Sequence, residues 1–339
     1  MSRVRQQLPL RRLGDVREVN ARFVADRLVQ LVPTTVAILM ISFILIHVAP
    51  GDPVLTLAGE HGDAAYYAFM RHRFGLDQPI LQQLMTYLGR VAHGDLGFSY
   101  VYGRGTLGVI MERVPATLLL TGTALAIAVL VGIPLGAVAA ARPHGARDVG
   151  ISALALGLFS APPFWIGQLA ILGLSLHYGF FPVQGMTSAS GTSSGWAHAW
   201  DVARHLALPA MVLAAQEIAV LARVTRSTLL DELPRDHIRT ARAKGLSELQ
   251  ALVRHALPRA LLPVVTIIGA RVGHLVAGAA VVEIIFGWPG MGRLLLGSLE
   301  SRDTPILLGL FLVVSLTVVL ANLVSDLTYA AIDPRIRLR

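Results

Sequence analysis

Six stretches of predominantly apolar residues constrain this chain more than any other feature of its sequence. A helix needs about 20 such residues to cross a hydrocarbon core about 30 Å thick, and the chain is 54% hydrophobic but only 15% charged. The predicted spans are residues 28–48, 117–140, 149–176, 206–222, 261–286 and 306–332. The sequence therefore predicts an all-α integral membrane protein with six transmembrane helices.

The distribution of Lys and Arg predicts that both termini lie in the cytoplasm, because basic loops are retained on that side. The segments that would then be cytoplasmic hold 20 of the 29 Lys and Arg residues within 80 positions, whereas the opposite side holds eight in 116. The cytoplasmic segments are 1–27, 141–148, 223–260 and 333–339. We therefore expect a basic N-terminal extension, a six-span domain over 28–332 and a short C-terminal tail.

Composition and motifs exclude several kinds of active site. The chain has no cysteine, which rules out disulfides, thiolate metal sites and cysteine nucleophiles. A P-loop requires a lysine followed by Ser or Thr, but the single lysine, Lys244, is followed by Gly245. A GxSxG match at 191–195 has no strand before it, so we interpret it as chance. We predict no catalytic residue, metal site or cofactor in this chain.

The long segment 49–116, predicted to be external, contains a helix signal of its own. Asp77 is suited to cap a helix and Pro79 to its first turn. Apolar residues then recur at helical spacing as far as Ala92. The GDLG sequence at 94–97 is expected to end this helix.

Small residues and prolines within the spans predict how the helices pack and bend. Gly132 and Gly136 in the second span, and Gly269 and Gly273 in the fifth, favour close helix approach in lipid. Pro162–Pro163 interrupts helical hydrogen bonding inside the third span, so a kink is expected there.

Ionisable residues inside the spans are candidates for function, because each costs about 2.5–3.5 kcal/mol to insert. They are Glu217, Arg271, His274, Glu283 and Asp326. Arg271 and His274 are three residues apart and share a helix face. They could line a water-filled cavity, or form an ion pair with Glu217, with Asp326 or with another subunit. Glu283 and Asp326 are near span ends, where we expect water to hydrate them.

The basic segment 223–260 contains the most informative local pattern. Residues Asp231 to Lys244 suit a short helix, which Gly245 can terminate. A second helical stretch runs from Ser247, a plausible cap, to Leu257. Two such helices give a compact surface for another protein to bind, although an ordinary basic loop that serves only topology is the alternative.

This segment resembles the coupling loop of type I importers of the ATP-binding cassette class. Their permease subunits carry EAA, three residues, Gly, nine residues and Ile-x-Leu-Pro. Here Arg239-Thr240-Ala241 occupies the EAA position, Gly245 the glycine, His255 the isoleucine and Leu257-Pro258 the end.

Further stretches resemble the dipeptide, oligopeptide and nickel permeases in particular. RTARAKGLS, followed by HAL and LLPVV, is the first of these. The others are HVAPGDP at 47–53, GLDQP at 75–79, GDLGFS at 94–99, RVPATL at 113–118, VEIIFGWPGMGRLL at 282–295 and DPRIRL at 333–338. They cover nearly the whole chain after residue 25.

The resemblance implies a pore-forming subunit in the bacterial cytoplasmic (inner) membrane. Its partners would be a homologous permease, two ATPase subunits that bind ATP and Mg, an extracytoplasmic solute-binding protein and the lipid bilayer, with no nucleic acid. Transport would proceed by alternating access, with di- or oligopeptides as substrate, although family members also carry nickel chelates and glutathione.

The resemblance also assigns the coupling loop to a groove on an ATPase. Arg239, Arg242 and Lys244 would add charge contacts there. Close approach would be permitted by Thr240, Ala241, Ala243 and Gly245, and the frame is completed by Leu246, His255, Leu257 and Pro258.

The sequence departs from the family pattern in its long N-terminal extension, in Arg271 and His274, and in Pro258. An ion-coupled secondary transporter is the alternative function, with Arg271, His274 and the intramembrane acids as a proton relay. Such folds often contain internal repeats, but residues 28–176 and 206–332 show no repeat.

Overall fold

The computed structural model describes residues 21–48, 63–73, 75–99, 101–188 and 195–332. Most of this part is helical. Its two short strands, β1 (Phe98–Ser99) and β2 (Arg104–Gly105), pair antiparallel with Phe98 opposite Gly105.

The helices of the described part are numbered here in chain order. They are α1 Ala21–Val48, α2 Ala64–Arg73, α3 Ile80–Ala92, α4 Thr106–Met111, α5 Val114–Ala141, α6 Ala146–Ser160, α7 Pro163–Ala170, α8 Trp196–Glu232, α9 Asp236–Ala243, α10 Glu248–Ala251, α11 Leu257–Ile285, α12 Met291–Glu300 and α13 Thr304–Ile332. Two π-helical segments, Ile171–His177 and Leu252–Ala256, continue α7 and α10.

Four continuous helical segments of the described part are long and apolar enough to cross a membrane. They are Thr106–Ala141, Trp196–Glu232, Glu248–Ile285 and Thr304–Val324. These segments coincide with the second, fourth, fifth and sixth predicted spans. The first predicted span lies in α1, which is a 28-residue helix and contains the apolar helical stretch Val32–Leu45.

The third predicted span is not one straight helix. Its two halves, Ala146–Ser160 and Pro163–His177, meet at an angle of 101°. Ala161 and Pro162 are both extended, with ψ of 130° and 135°, because the residue before a proline is driven out of the α region. The prediction of a kink at Pro162–Pro163 is confirmed.

Three of the four glycines predicted to allow close packing, Gly132, Gly136 and Gly273, lie at helix contacts. A Cβ added to Gly132 would lie 2.9 Å from Leu221 Cβ, and one added to Gly136 would lie 2.5 Å from the Ala222 carbonyl oxygen. In α11, a Cβ on Gly273 would lie 3.1 Å from a methyl group of Val318 on α13. Because separations below 3.0 Å are too short for a real Cβ, α5 and α8 can approach this closely only with glycine at 132 and 136.

A large apolar core joins α5, α8 and α11. Small residues on α5 contact larger side chains from α8, including Leu208 and Leu213, and Leu275 of α11 packs into the same cluster. Phe286 and Trp288, which follow α11, complete it. The Trp288 indole N–H donates to the Ala116 carbonyl at 2.8 Å, so the loop after α11 is fixed to the start of α5.

The predicted helix in the external segment is present as α3, but Asp77 does not cap it. Helix α3 follows Pro79 without a side-chain cap, and the Asp77 carboxylate instead lies 2.8 Å from the His72 ring. The hydrogen bond from His72 lowers the pKa of Asp77. Leu84 is the buried residue of α3, and it packs against Phe43 of α1 and Leu308 of α13.

Substitution of Gly136 by Ala should lower the free energy of unfolding of the purified chain by about 1–3 kcal/mol, because there is no space for the new methyl group. Gly122 is the matched control, since it lies in the same helix and has no atom within 4 Å of a built Cβ. Thermal unfolding in detergent compares G136A with G122A. Equal stability of the two variants would contradict the close contact of α5 with α8.

Candidate coupling surface and intramembrane ion pair

The first helix of the cytoplasmic segment is shorter than predicted. Helix α8 continues to Glu232, and α9 begins only at Asp236. Pro234 separates them because it lacks an N–H that could continue the hydrogen bonding of α8. The predicted helix from Asp231 to Lys244 is therefore divided between the end of α8 and α9.

Ser247 caps the second helix as predicted. Its hydroxyl accepts from the Gln250 N–H at 3.3 Å, and the Gln250 side chain accepts from the Ser247 N–H at 3.1 Å. This reciprocal arrangement is a capping box. The helix does not end near Leu257, however, because it continues through Leu252–Ala256 into α11.

The second cytoplasmic helix was predicted to be separate from the fifth span because of Pro258, although Glu248–Ile285 is one continuous helix. Pro258 lies in its path, and a proline inside a helix lacks one hydrogen bond and crowds the preceding turn. The π-helical turn Leu252–Ala256 directly precedes Pro258, as expected where a helix accommodates such a residue. The second predicted helix of segment 223–260 is thus the start of the long helix that contains the fifth predicted span.

Helix α9 is attached to the long helices by an apolar contact. Ile238 is fully buried and packs in one cluster with Ala140 of α5, Leu229 of α8 and Ala256 and Ala260 near the start of α11. Ala241, one turn further along α9, is also buried. Ala241 therefore faces its own chain, although the resemblance assigned it to the surface that approaches the partner.

The opposite face of α9 and the following turn are exposed. The exposed residues of α9 and this turn are Asp236, Arg239, Thr240, Ala243, Lys244 and Gly245. Arg242 and Leu246 are half-buried, as is Leu257, while His255 and Pro258 are exposed. The frame from 239 to 258 thus presents a largely basic outer surface on an apolar base.

Two of the three cations predicted to make docking contacts already have acidic neighbours. Arg242 Nη2 lies 2.8 Å from Glu248 Oε2, and Arg239 Nη1 lies 3.6 Å from Asp236 Oδ1. Both pairs are at the surface, where such pairs contribute little stability. Across the described ranges, Lys244 has no ion-pair partner, which makes it the cation best placed to meet another protein.

Gly245 ends α9 with a positive φ of 89°. Its N–H donates to the Arg242 carbonyl at 2.9 Å, and the Leu246 N–H to the Ala241 carbonyl at 3.4 Å. No atom lies within 4 Å of a built Cβ. Within this chain, glycine is therefore required for backbone conformation and not for space.

Arg271 and Glu217 form a bidentate ion pair between α11 and α8. Arg271 Nε and Nη2 donate to the two carboxylate oxygens at 2.8 and 2.9 Å. The Glu217 side chain is 6% exposed and that of Arg271 is 23% exposed. Of the arrangements left open by the sequence, the structure shows the pair with Glu217.

The other intramembrane candidates lie apart from this pair. His274 is exposed on α11 and makes no hydrogen bond within the described part of the chain. Gly269, on the same helix, is buried. The side chain of Asp326 lies outside the described residues.

Glu283 is buried by the protein, contrary to the exposure to water expected for a residue near a span end. It is fully buried, and its carboxylate accepts from the Thr117 hydroxyl and the Gly292 N–H, both at 2.6 Å. The Arg293 N–H lies 3.3 Å from the same carboxylate. A carboxylate at the N-terminus of α12 satisfies donors that the helix leaves unpaired, so Glu283 joins α5, α11 and α12.

Sequence reasoning missed two ion-pair sites on the side of the bundle that carries the coupling loop. Asp148 of α6 receives two hydrogen bonds from Arg226 of α8. Glu232, at the end of α8, is buried among basic residues. Both carboxylates lie in predicted loops or at span boundaries, so their burial could not be inferred from local hydropathy.

Breaking the ion pair between Glu217 and Arg271 should reveal strong coupling between these residues. E217Q and R271Q should each lower the free energy of unfolding. The double variant should lose less than the sum of the two single losses, by about 0.5–3 kcal/mol, which is the interaction energy of the pair. Thermal unfolding of the four proteins measures this difference, with E300Q as a control for loss of an exposed acid. Additive effects would contradict a direct interaction.

Comparison with known proteins identifies the family. Residues 132–338 match the family described as binding-protein-dependent transport system inner membrane component. Residues 20–121 match the corresponding N-terminal membrane component. The two matches together cover most of the chain.

Curated relatives match almost end to end. The dipeptide transport system permease protein DppB of Escherichia coli (strain K12) is 40% identical over 334 residues, which cover 93% of this chain and 98% of DppB. The oligopeptide transport system permease protein AppB of Bacillus subtilis (strain 168) is 38% identical, covering 93% and 99%. The glutathione transport system permease protein GsiC of Escherichia coli (strain K12) is 39% identical, covering 93% and 98%.

A solved structure supports the fold. The MetNI methionine ABC transporter, in an inward-facing conformation, contains a chain similar to this one with a TM-score of 0.54 and 18% identity. The similarity covers 67% of this chain and 97% of that one. The chain belongs to the family of binding-protein-dependent transport system inner membrane components.

Proposed function

We propose that this chain is a permease subunit of an ATP-driven peptide importer and forms half of its translocation pore. The observation that carries the proposal is the coupling surface, in which α9 presents Lys244 and Gly245 outward while Ile238 attaches it to α5, α8 and α11. A partner that displaces α9 would therefore displace the long helices as well.

The partners are a homologous permease, two ATPase subunits and an extracytoplasmic solute-binding protein. ATP and Mg bind to the ATPase subunits, since this chain contains no P-loop sequence. This permease is not itself an enzyme. Closure of the ATPases on ATP moves the coupling surface and opens the pore to the outside, and hydrolysis returns it to the inward-facing state.

The membrane arrangement has six spans, with both termini in the cytoplasm of a bacterial cell. Four long helices and the bent pair of α6 and α7 account for five spans, and α1 supplies the sixth. The clustering of Lys and Arg in segments 1–27 and 223–260 supports this orientation. It places the coupling surface on the ATPase side.

The substrate class is di- or oligopeptides. Relatives at 38–40% identity are named for dipeptide and oligopeptide transport, and one at 39% for glutathione, itself a small peptide. A pore that releases its substrate makes weak, transient contacts. Selection among peptides therefore belongs chiefly to the solute-binding protein.

An ion-coupled secondary transporter is not favoured. Arg271 and Glu217 neutralise each other in a bidentate pair, and His274 lies outside it. Within the described residues these groups form no continuous proton relay. The relatives named above are likewise permeases of multi-component transport systems.

Reconstitution in liposomes tests the function directly. The chain is combined with its cognate permease, ATPases and solute-binding protein, and uptake of radiolabelled dipeptide is followed with and without ATP. We expect uptake to require ATP and all partners. Uptake by the chain alone, driven by a proton gradient, would contradict the proposal.

Substitution of Gly245 should uncouple the importer. A β-branched residue is strained at φ 89°, so G245V should lower ATP-driven uptake at least tenfold while membrane insertion persists. Gly94 provides the matched control, because it also follows a helix with a positive φ of 79° and open space at its Cβ. Equal uptake by G245V and G94V would contradict a coupling role for this loop.

A further inference from the structure

Glu232 is a buried carboxylate surrounded by basic groups at the root of the coupling surface. It is the last residue of α8, and its side chain is 7% exposed. Its neighbour Asp231 is exposed. A charged group at such a position is costly unless opposite charges compensate it.

Three basic residues from three parts of the chain contact this carboxylate. Arg235 Nε, in the linker before α9, lies 2.9 Å from Oε2. His237 Nε2, on α9, lies 3.2 Å from Oε1 and contributes charge when protonated. Arg259 Nη1, at the start of α11, lies 3.9 Å from the same oxygen. One carboxylate thus connects α8, α9 and α11.

The contacts at Oε1 are electrostatic and lack hydrogen-bond geometry. Neither Glu232 Oε1 nor His237 Nε2 has a hydrogen-bond partner, although they lie 3.2 Å apart. Attraction between charges depends on distance more than on angle, so α9 can tilt by a small amount without losing it. The attraction still opposes separation of α9 from the two long helices.

The apolar contact and the ionic contact have different effects on α9. Ile238 is adjacent to His237 and fixes α9 to the bundle, but apolar burial has little directional preference. The charges around Glu232 restrict the orientation of α9, because they attract the linker, the start of α9 and the start of α11 to the same carboxylate.

We propose that Glu232 is a positioning residue, which sets the orientation of α9 relative to α8 and α11 so that displacement by an ATPase is transmitted to both helices. This inference rests on the proposed function and deepens it. Neutral glutamine at this position would retain the shape of the side chain but leave three basic groups without their common partner. Helix α9 would remain attached through Ile238 with a wider range of orientations.

The first measurement compares coupling in E232Q and D231N. The two variants each remove one negative charge at adjacent positions, one buried and one exposed. In liposomes containing the complete importer, dipeptide uptake and ATP hydrolysis are measured together. E232Q should transport at least fivefold less peptide per ATP hydrolysed, with hydrolysis within twofold of the unmodified protein, and D231N should keep the original ratio.

The second measurement reports orientation directly. Because the chain has no cysteine, spin labels can be placed at S227C on α8 and D236C on α9, two exposed positions. Pulsed electron paramagnetic resonance on the assembled complex should give a broader distance distribution in E232Q than in D231N. A role in folding alone would not broaden the distribution of the assembled protein.

The outcomes separate this inference from the proposed function. If E232Q matches D231N in both measurements, the positioning role is wrong. If E232Q does not assemble, H237Q replaces it as the test, because it removes only one of the three contacts. H237Q should lower the peptide transported per ATP and broaden the distance distribution, each by less than expected for E232Q. If H237Q leaves both measurements unchanged, the proposal is wrong. If the unmodified complex shows no ATP-driven uptake, the proposed function fails, while the distance distributions still test the orientation of α9.

Discussion

The hydrocarbon core of a membrane requires every backbone N–H and C=O to find its partner inside the protein. This chain meets the requirement with long helices and with specific bonds wherever a helix stops. After α11, the backbone N–H of Trp288 donates to the backbone carbonyl of Glu283 at 2.8 Å. The side-chain carboxylate of Glu283 accepts from the Gly292 N–H in the first turn of α12. The Gly185 N–H donates to the Phe286 carbonyl at 2.8 Å across the fold. The buried acid therefore satisfies backbone donors at the break between α11 and α12.

Close packing of the long helices explains how the coupling surface can transmit motion. Glycine at 132 and 136 allows α5 and α8 to lie in direct backbone contact, and the pair of Arg271 with Glu217 joins α8 to α11. Closely packed interiors deform little, so these helices respond together. Helix α9 contacts this rigid group through Ile238, close to the surface where a partner would bind.

Local features of the sequence predicted much of this arrangement. Apolar length identified the long helices, Gly132 and Gly136 identified a packing face of α5, and Gly245 and Ser247 marked a helix end and a helix start. These signals depend on neighbours in the sequence. The 101° bend at Pro162 was likewise predicted as a kink from its two prolines, whereas the burial of Glu283 depends on contacts with distant residues such as Thr117. Glu232 was missed because local hydropathy does not predict its burial, and because its contact with Arg259 forms only when the start of α11 lies beside the end of α8, although Arg235 and His237 are close to it in the sequence.

The central claim is that the exposed face of α9 contacts an ATPase and transmits its closure. Because the chain contains no cysteine, a single cysteine can replace Lys244. Val101, in the segment predicted to be external, is the control position. In the assembled importer, a short bifunctional crosslinker should join K244C to an ATPase subunit, with an efficiency that changes between the ATP-bound and nucleotide-free states, and should not join V101C. The absence of any ATPase adduct at K244C, in a complex that transports peptide, would contradict the account.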